Sequence, residues 1–420
     1  MKTKVGMLSL GCARNLVDAE VMLGRLKKTG FKIVEEIEGA DVAIVNTCCF
    51  IREAEEESID IILKLCQLKQ EGKINKIIVC GCLPQRYKNE LTDELKEVDA
   101  FVGVGGLDTH NSPREFLTPQ HFAYVKISDG CNHHCSFCII PRLRGRYRSR
   151  AMDSIVCEVA ALFNKRGVKE INLIGQDTTM YGQDLYGQSQ TARLLAKVSK
   201  KARGKWIRLL YAHPAHFSKE IITVIKNEPS VCKYIDLPIQ HINDRILRKM
   251  RRRTSRKQIF SLLETLRKRI PHLAIRTTLI VGFPGETEVQ FRELLRFIRE
   301  ARFERLGLFK YSKEKGSPAY SFAGQIPQKI KQSRYEQALS LQQDISAEIN
   351  QGFLGKTLRV LIDEQDAQDK DIFVARSEYD APEVDGCIYV HSKKNLEPGE
   401  FINVRITDTL EYDLVAEAIE

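Results

Sequence analysis

Short apolar runs alternate with helical stretches through the first hundred residues: VGMLSL, VDAEVMLGRLKKTG, DVAIVN, EAEEESIDIILKLCQLKQ and KIIVCGC in chain order. Buried strands separated by helices of about 15 residues predict a parallel sheet over 1–106. Each of the three strands ends at a cysteine: Cys12, Cys48 and Cys82. Open α/β sheets hold their sites in the loops at the carboxyl ends of strands, so these thiols are expected to converge across sequence gaps of 36 and 34 residues. Residues 107–121 contain two prolines and little periodicity, which reads as a linker. A second alternation then begins: YVKIS, INLIG, WIRLLYAH, YIDLPIQ, IRTTLIVG and RLGLFKYS. Six strands with intervening helices predict a partial (β/α)6 barrel over 122–351, with its active site at the carboxyl face. RYEQALSLQQDISAEINQGFLG reads as a long amphipathic helix leaving that domain. Five β-rich runs separated by Gly, Pro and Asp follow, and predict a small five-stranded β-barrel over 352–420. The expected fold class is therefore α/β: a parallel-sheet domain, a partial barrel and a small all-β barrel.

Composition narrows the class. With 43% hydrophobic and 29% charged residues, 420 residues suffice for several cores, which excludes a disordered or peptide-sized chain. No apolar run approaches the ~18 residues of a membrane helix, and the lysines before the first apolar run do not make a secretion signal, because Arg14 and Asn15 follow at once. The expectation is a cytoplasmic protein, a monomer, with no membrane contact. In a reducing compartment, twelve cysteines point to metal or catalysis before disulfides. The net charge of +10 first suggests nucleic acid, but its distribution changes the picture. Residues 353–420 hold seven Lys/Arg against sixteen Asp/Glu, so this tail is near −9 and the rest of the chain near +19.

The spacing C-x3-C-x2-C at Cys131, Cys135 and Cys138, just after the first strand of the second region, is the most specific signal. Three thiolates this close can ligate three irons of a 4Fe-4S cubane and leave the fourth open. Zinc would want a closed set of four ligands, for which His133 and His134 are poorly placed. No Walker loop, dinucleotide fingerprint or Ser/His/Asp triad is present, and VGVGG at 102–106 lacks the spacing of a phosphate loop.

The cysteine spacing at the first strand of a six-unit barrel resembles the radical S-adenosylmethionine superfamily. That resemblance implies that the methionine moiety chelates the open iron and that cleavage of the sulfonium gives a 5′-deoxyadenosyl radical. Phe137 would then flank the adenine, or else be a core aromatic. Gln176, with Asp177, and the IVGFPGE turn at Gly282 would be cofactor contacts, although that glycine serves equally well as a turn residue. The strings LGCARN, NTCCF and GCLPQR, together with the radical motif and the small C-terminal barrel, look like the methylthiotransferases across nearly the whole chain. The resemblance makes Cys12, Cys48 and Cys82 ligands of a second 4Fe-4S cluster, the sulfur carrier, and makes the last barrel TRAM-like. Cys49, Cys66, Cys80, Cys157, Cys232 and Cys387 fall outside the pattern and read as structural.

Members of this family modify either adenosine in transfer RNA or an aspartate of a ribosomal protein. LVDAEVMLGRL, YIDLPIQHINDRILRKMRR and ARSEYDAPEVDG resemble the ribosomal-protein branch, whose implied substrate is the β-carbon of an aspartate in small-subunit protein twelve. The transfer RNA enzymes remain the alternative. A barrel near −9 would repel RNA and attract a basic ribosomal protein, free or within its subunit, with Asp380, Glu383 and Asp385 as docking candidates. The basic segment 245–257 pulls the other way: it meets ribosomal RNA, or it is a solvent-facing helix. An electron-donor protein is a further implied partner. From another class, a noncatalytic iron-sulfur or zinc protein docking on ribosomes is the rival, to be separated by metal content.

Overall fold

Strand β1 (Lys4–Ser9) leads into helix α1 (Ala13–Lys28), and the alternation continues through β2 (Lys32–Val34), β3 (Val42–Thr47), α2 (Arg52–Gln70), β4 (Lys76–Gly81), α3 (Cys82–Glu94) and β5 (Ala100–Val102). The strands form one parallel sheet in the order β2-β1-β3-β4-β5. Side chains alternate across a strand, so Ile44 packs with Val5, Met7, Ala19 and Leu23 on one face while Ala43 and Val45 pack with Ile62, Leu65, Ile77 and Val79 on the other. Helices cover both faces, which is why the strands read as continuous apolar runs.

In this computed structural model residues 2–104 and 112–419 are described, so the domain end expected at 106 and the linker positions 107–111 lie outside them. The described part of the linker runs along α1, where the Glu115 N–H donates to the Glu20 carbonyl at 2.9 Å. A Cβ on Gly24 would come within 2.2 Å of the Pro113 carbonyl oxygen. The chain separates into two compact units. The first comprises Met1–Pro119, Tyr124–Arg150 and Ser312–Tyr320. It therefore holds, besides the first sheet, most of β6 (Phe122–Lys126), then β7 (Ser128–Asp129), the Cys131–Cys138 loop, α4 (Ile140–Arg144) and β8 (Arg148–Ser149), which pairs antiparallel with β7. Ile139 and Leu143 are buried in the same core as β3 and β4.

The second unit comprises Gln120–Ala123, Ala151–Tyr311 and Ser321–Glu420. Its strand–helix series runs α5 (Met152–Ala161), β9 (Glu170–Ile174), α6 (Gln183–Tyr186), α7 (Thr191–Ala202), β10 (Trp206–Leu209), α8 (Lys219–Asn227), β11 (Tyr234–Asp236), α9 (Asp244–Lys249), α10 (Arg256–Arg269), β12 (Ala274–Val281), α11 (Glu288–Ala301) and β13 (Arg305–Lys310). Two three-stranded sheets, β10-β9-β6 and β11-β12-β13, give six strands; the Cys232 N–H donates to the Ile207 carbonyl at 2.9 Å and links one sheet to the other. This is the partial barrel. Helix α12 (Gln328–Gln351) leads to β14 (Thr357–Gln365), β15 (Ile372–Ser377), β16 (Ile388–His391), β17 (Phe401–Thr409) and β18 (Leu414–Ala418), which close into a barrel in the order β14-β15-β16-β18-β17. Val360, Ile362, Phe373, Val390, Val404 and Ile406 fill it.

The small barrel is joined to the larger one by buried charge. Glu170 at the start of β9 takes hydrogen bonds from Arg208 Nε at 2.9 Å and Arg376 Nη1 at 2.6 Å. Arg305 at the start of β13 donates to Asp380 at 3.0 Å, and Arg276 near the start of β12 donates to Asp385 at 3.2 Å. Tyr234 Oη, at the start of β11, donates to Asp385 at 2.6 Å. All four contacts lie at the amino ends of the strands, so the carboxyl face is left to other roles. This corrects the expectation that Asp380 and Asp385 form a docking surface. Asp380 is 2% exposed and the Asp385 side chain equally so, because both neutralise the partly buried arginines Arg305 and Arg276. Of the three, Glu383 alone is exposed, on a turn where its φ is +67°.

Candidate metal centres

The cysteine-bearing strands β1, β3 and β4 are neighbours in the sheet. Strands about 4.8 Å apart bring their ends within roughly 10 Å. Cys12 is the N-cap of α1, Cys48 follows Thr47 directly, and Cys82 is the first residue of α3. Two glycines make this approach possible. A Cβ on Gly11 would lie 2.6 Å from Cys48 Cβ, and one on Gly81 would lie 2.4 Å from Asn46 Oδ1. Both also hold positive φ, +82° and +96°, which a side chain would strain.

Asn15, three residues after Cys12, ties the three ends together. Its Nδ2 donates to the Thr47 carbonyl at 2.8 Å and the Leu10 carbonyl at 3.1 Å, while its Oδ1 lies 3.7 Å from Cys82 Sγ. Ser58 of α2 braces Cys48 by accepting from its N–H at 3.1 Å. Electrostatically the thiols feel one another. Burial pushes the Cys82 thiol up to about 12, with Cys48 and Cys12 adding to the rise. Cys48 is raised in the same way, by burial first and also by Cys12. At Cys12 burial also opposes ionisation, yet the cations of Arg14 and Arg144 outweigh it and the thiol is lowered. Cys49 also feels Cys82 and Cys48, but its thiol is turned into the core. It is fully buried among Val45, Ile62 and Leu83, its thiol donates to the Cys82 carbonyl at 3.1 Å, and burial raises it strongly.

The second set sits on the loop between β7 and α4. The N–H of His133 donates to Cys131 Sγ at 3.3 Å and that of Ile140 to Cys138 Sγ at 3.4 Å, bonds that suit thiolates ligating a cluster. Burial pushes the Cys138 thiol up to about 12, aided by Cys135 and Cys131 and opposed by Arg14. Arg14 therefore acts on both sets. The loop is fixed at its root by Gly130, where a Cβ would meet the Arg146 carbonyl oxygen at 2.1 Å.

A buried clamp joins the two sets. Arg144, whose side chain is 1% exposed, donates to Asp18 of α1 at 2.9 Å and to Asn15 Oδ1 at 2.6 Å, and lies 3.4 Å from Asp129, two residues before Cys131. Lys126 completes it by pairing with Asp18 and Asp129. A strap from later in the chain closes the same unit. Glu314 accepts from Arg86 at 2.7 Å, Arg86 also donates to the Cys49 carbonyl at 3.0 Å, and the Ala319 N–H donates to the Ser136 carbonyl at 2.7 Å. Sequence reasoning did not single out Asn15, Asp18, Arg86, Asp129 or Arg144. The available signal was polar residues at positions of α1 that its apolar spacing buries.

The cofactor candidates fall in two places. Phe137 is half-buried between Ser136 and Cys138 in the first unit. Gln176 and Gly282 lie in the second unit, just past the carboxyl ends of β9 and β12. Asp177, beside Gln176, shares a hydrogen bond of 2.8 Å with His216 Nδ1 and accepts from the Thr179 N–H at 2.9 Å. Gly282 has φ +74°, and its N–H donates to Glu286 at 2.8 Å. Three thiols on one loop and three at adjacent strand ends, each set short of a fourth thiol of its own pattern, fit open iron-sulfur clusters better than a closed zinc site.

Comparison with known proteins places this architecture among the radical S-adenosylmethionine proteins. The Radical SAM superfamily model matches residues 125–298, the uncharacterized protein family UPF0004 matches 4–103, and the TRAM domain matches 354–419. The solved radical S-adenosylmethionine methyltransferase TsrM from Kitasatospora setae superposes with a TM-score of 0.53 at 14% identity, covering 74% of this chain and 72% of that one, and so shares the fold. The chain belongs to the RimO family of radical SAM methylthiotransferases. Relatives named ribosomal protein uS12 methylthiotransferase RimO are 46% identical in Heliobacterium modesticaldum, over 99% of this chain and 95% of the relative, and 42% identical in Clostridioides difficile, over 99% of both. The family uses S-adenosylmethionine and two 4Fe-4S clusters.

Proposed function

We propose that this chain replaces a β-hydrogen of one aspartate in small-subunit ribosomal protein twelve with a methylthio group. The observation that carries the reading is the placement of both cysteine sets in one compact unit of a chain that matches RimO proteins end to end. The transfer RNA reading is not favoured, since the relatives are named for the ribosomal protein.

In this reading Cys131, Cys135 and Cys138 hold one cluster and Cys12, Cys48 and Cys82 hold the other. When bound, the first with S-adenosylmethionine supplies a 5′-deoxyadenosyl radical and the second supplies sulfur for transfer. The chain's own residues position and enclose. Asn15 and Ser58 fix the three strand ends, Arg144 and Lys126 lock α1 to the loop, and the Glu314 strap holds α3. Glu286 fixes the Gly282 turn, which with Phe137 and Gln176 would contact S-adenosylmethionine. Among the described residues no helix is long and apolar enough to cross a membrane, and we place the enzyme in the cytoplasm as a monomer served by an electron-donor protein.

The test is mass spectrometry of ribosomal protein twelve from cells with and without this enzyme. A methylthio mass increment on one aspartate, lost on deletion, is expected. An unmodified protein in both strains, with methylthioadenosine lost from transfer RNA instead, would overturn the reading.

A further inference from the structure

The segment 244–257 holds eight cations and one acid, Asp244, which is engaged in accepting from the Arg256 N–H at 2.6 Å. Arg245, Arg248, Arg251, Arg253, Arg256 and Lys257 are exposed. Some exposed arginines elsewhere on this unit find carboxylates, as in Arg267–Glu304, Arg292–Glu288 and Arg302–Glu348, while others such as Arg193, Arg269 and Arg296 stand alone among the described residues, so it is the clustering of cations in this segment that sets it apart. Among the described residues the six form no such ion pair; the Arg256 guanidinium lies over the Phe260 ring. Six uncompensated like charges on two short turns repel one another, which a fold tolerates where an anion is to be met.

Topology puts this face beside the barrel mouth. The loop 237–243 leaves the carboxyl end of β11, and its Gln240 pairs with Leu279, late in β12. Helix α9 starts at once, capped by Asn243, and α10, capped by Ser255 in a capping box, returns toward the amino end of β12. The cations therefore lie on the carboxyl rim, opposite the end where the small barrel is bound. Arg251 holds a φ of +56°, in the left-handed region where a helix end ordinarily carries glycine, as Arg302 also does at the end of α11.

The chemistry of the face selects among polyanions. Five of the six are arginines, whose planar fork matches a phosphate through two hydrogen bonds. The apolar residues of the segment, Ile246, Leu247 and Met250, are fully buried, so the face offers no apolar centre of the kind protein interfaces use. Resting on the function proposed above, we infer that this face docks the phosphate backbone of ribosomal RNA, so that the enzyme acts on its ribosomal protein in the assembled small subunit. The acidic small barrel, at the other end of the strands, takes no part in this contact.

The experiment uses the reconstituted full-length enzyme and the triple variant Arg245→Gln, Arg248→Gln, Arg253→Gln, with dithionite as reductant. Substrates are free ribosomal protein twelve and assembled small subunits, and binding of purified small-subunit ribosomal RNA is measured by filter retention across a salt series. The variant is expected to raise KM for the subunit about tenfold and to lower the slope of log affinity against log salt by about three, one for each arginine that no longer neutralises a phosphate. KM for the free protein and S-adenosylmethionine cleavage without substrate should not change, which also shows that the variant is folded. An unchanged RNA salt slope, or equal losses on both substrates, overturns the inference. So does a defect seen only when an acidic electron-donor protein replaces dithionite, since the face would then dock the donor. If the wild type modifies neither substrate, the proposed function fails, whereas the RNA salt slope still decides the fate of this face.

Discussion

Cys48 and Cys49 are adjacent thiols with different surroundings. Neighbouring residues in extended chain point their side chains in opposite directions, so only one of the two can face Cys12. Cys48 does: it packs on Gly11 and feels Cys12, while Cys49 lies in the core against the Cys82 carbonyl. We predict that Cys48→Ala lowers reconstituted iron from about eight to about four per chain, whereas Cys49→Ala retains about eight and loses about 1 kcal/mol of stability. Iron analysis and a urea melt measure both, and loss of iron in the Cys49 variant would reverse the assignment. Glu286 gives a second residue-scale prediction. Burial pushes its carboxyl up to about 7, although Arg334 and the N–H groups of Gly282 and Phe283 pull it down. A carboxyl raised from its ordinary 4.5 binds its proton more tightly in the folded state. Its contribution to stability is therefore complete below pH 4.5 and is lost as pH rises through 7. Glu286→Gln removes this titration while keeping an acceptor for Gly282. Wild type should thus lose up to about 3 kcal/mol relative to the variant between about pH 4.5 and 8, and parallel urea-midpoint curves would contradict this.

At the scale of elements, the seam between the two barrels makes a sharper test than any surface residue. Asp380 is buried and the Arg305 side chain is 11% exposed, so removing the arginine leaves the carboxylate as an uncompensated buried charge and removing the carboxylate strands the arginine at the seam. Asp380→Leu alone should lose about 3–5 kcal/mol, and the double variant with Arg305→Met should recover most of that loss. A denaturant-based double-mutant cycle reads the coupling, and additive losses would mean that the pair is not a unit. The seam also shows why part of this chain was legible in sequence and part was not. Three strands of the first sheet, β1, β3 and β4, were legible because they are buried continuous apolar runs, each ending at a cysteine, whereas the short, half-exposed edge strands β2 and β5 gave no such run. The six barrel strands and the five short strands of the last barrel followed from the same periodicity. Asp380 and Asp385 were not legible, because a carboxylate in a turn has the same local pattern whether it meets water or a buried arginine. Asp18 and Arg144 were hidden similarly: each lies far in sequence from the partner that makes its burial tolerable, the two being 126 positions apart.

For the molecule as a whole, the decisive fact is that the first compact unit contains both cysteine sets, although Cys12 and Cys138 belong to different regions of the sequence. The loop after β7 joins the N-terminal sheet through Ile139, Leu143 and the Arg144 clamp, so the set proposed to generate the radical is anchored to the domain proposed to carry sulfur. Anchoring is not chemical dependence. Each set has its own backbone scaffold: three strand ends with Asn15 for one, and a loop with its own N–H donors to sulfur for the other. Replacing Cys12, Cys48 and Cys82 together by alanine should therefore leave cleavage of S-adenosylmethionine to 5′-deoxyadenosine within about twofold of wild type, since a single intact cluster suffices for that step. Methylthiolation of the ribosomal protein should fall below detection. Quantifying 5′-deoxyadenosine and the methylthio mass increment in the same reaction measures the two separately. If cleavage were lost as well, with circular dichroism showing an intact fold, the two sets would act as one electronic unit, and the assignment of radical generation to Cys131, Cys135 and Cys138 alone would fall.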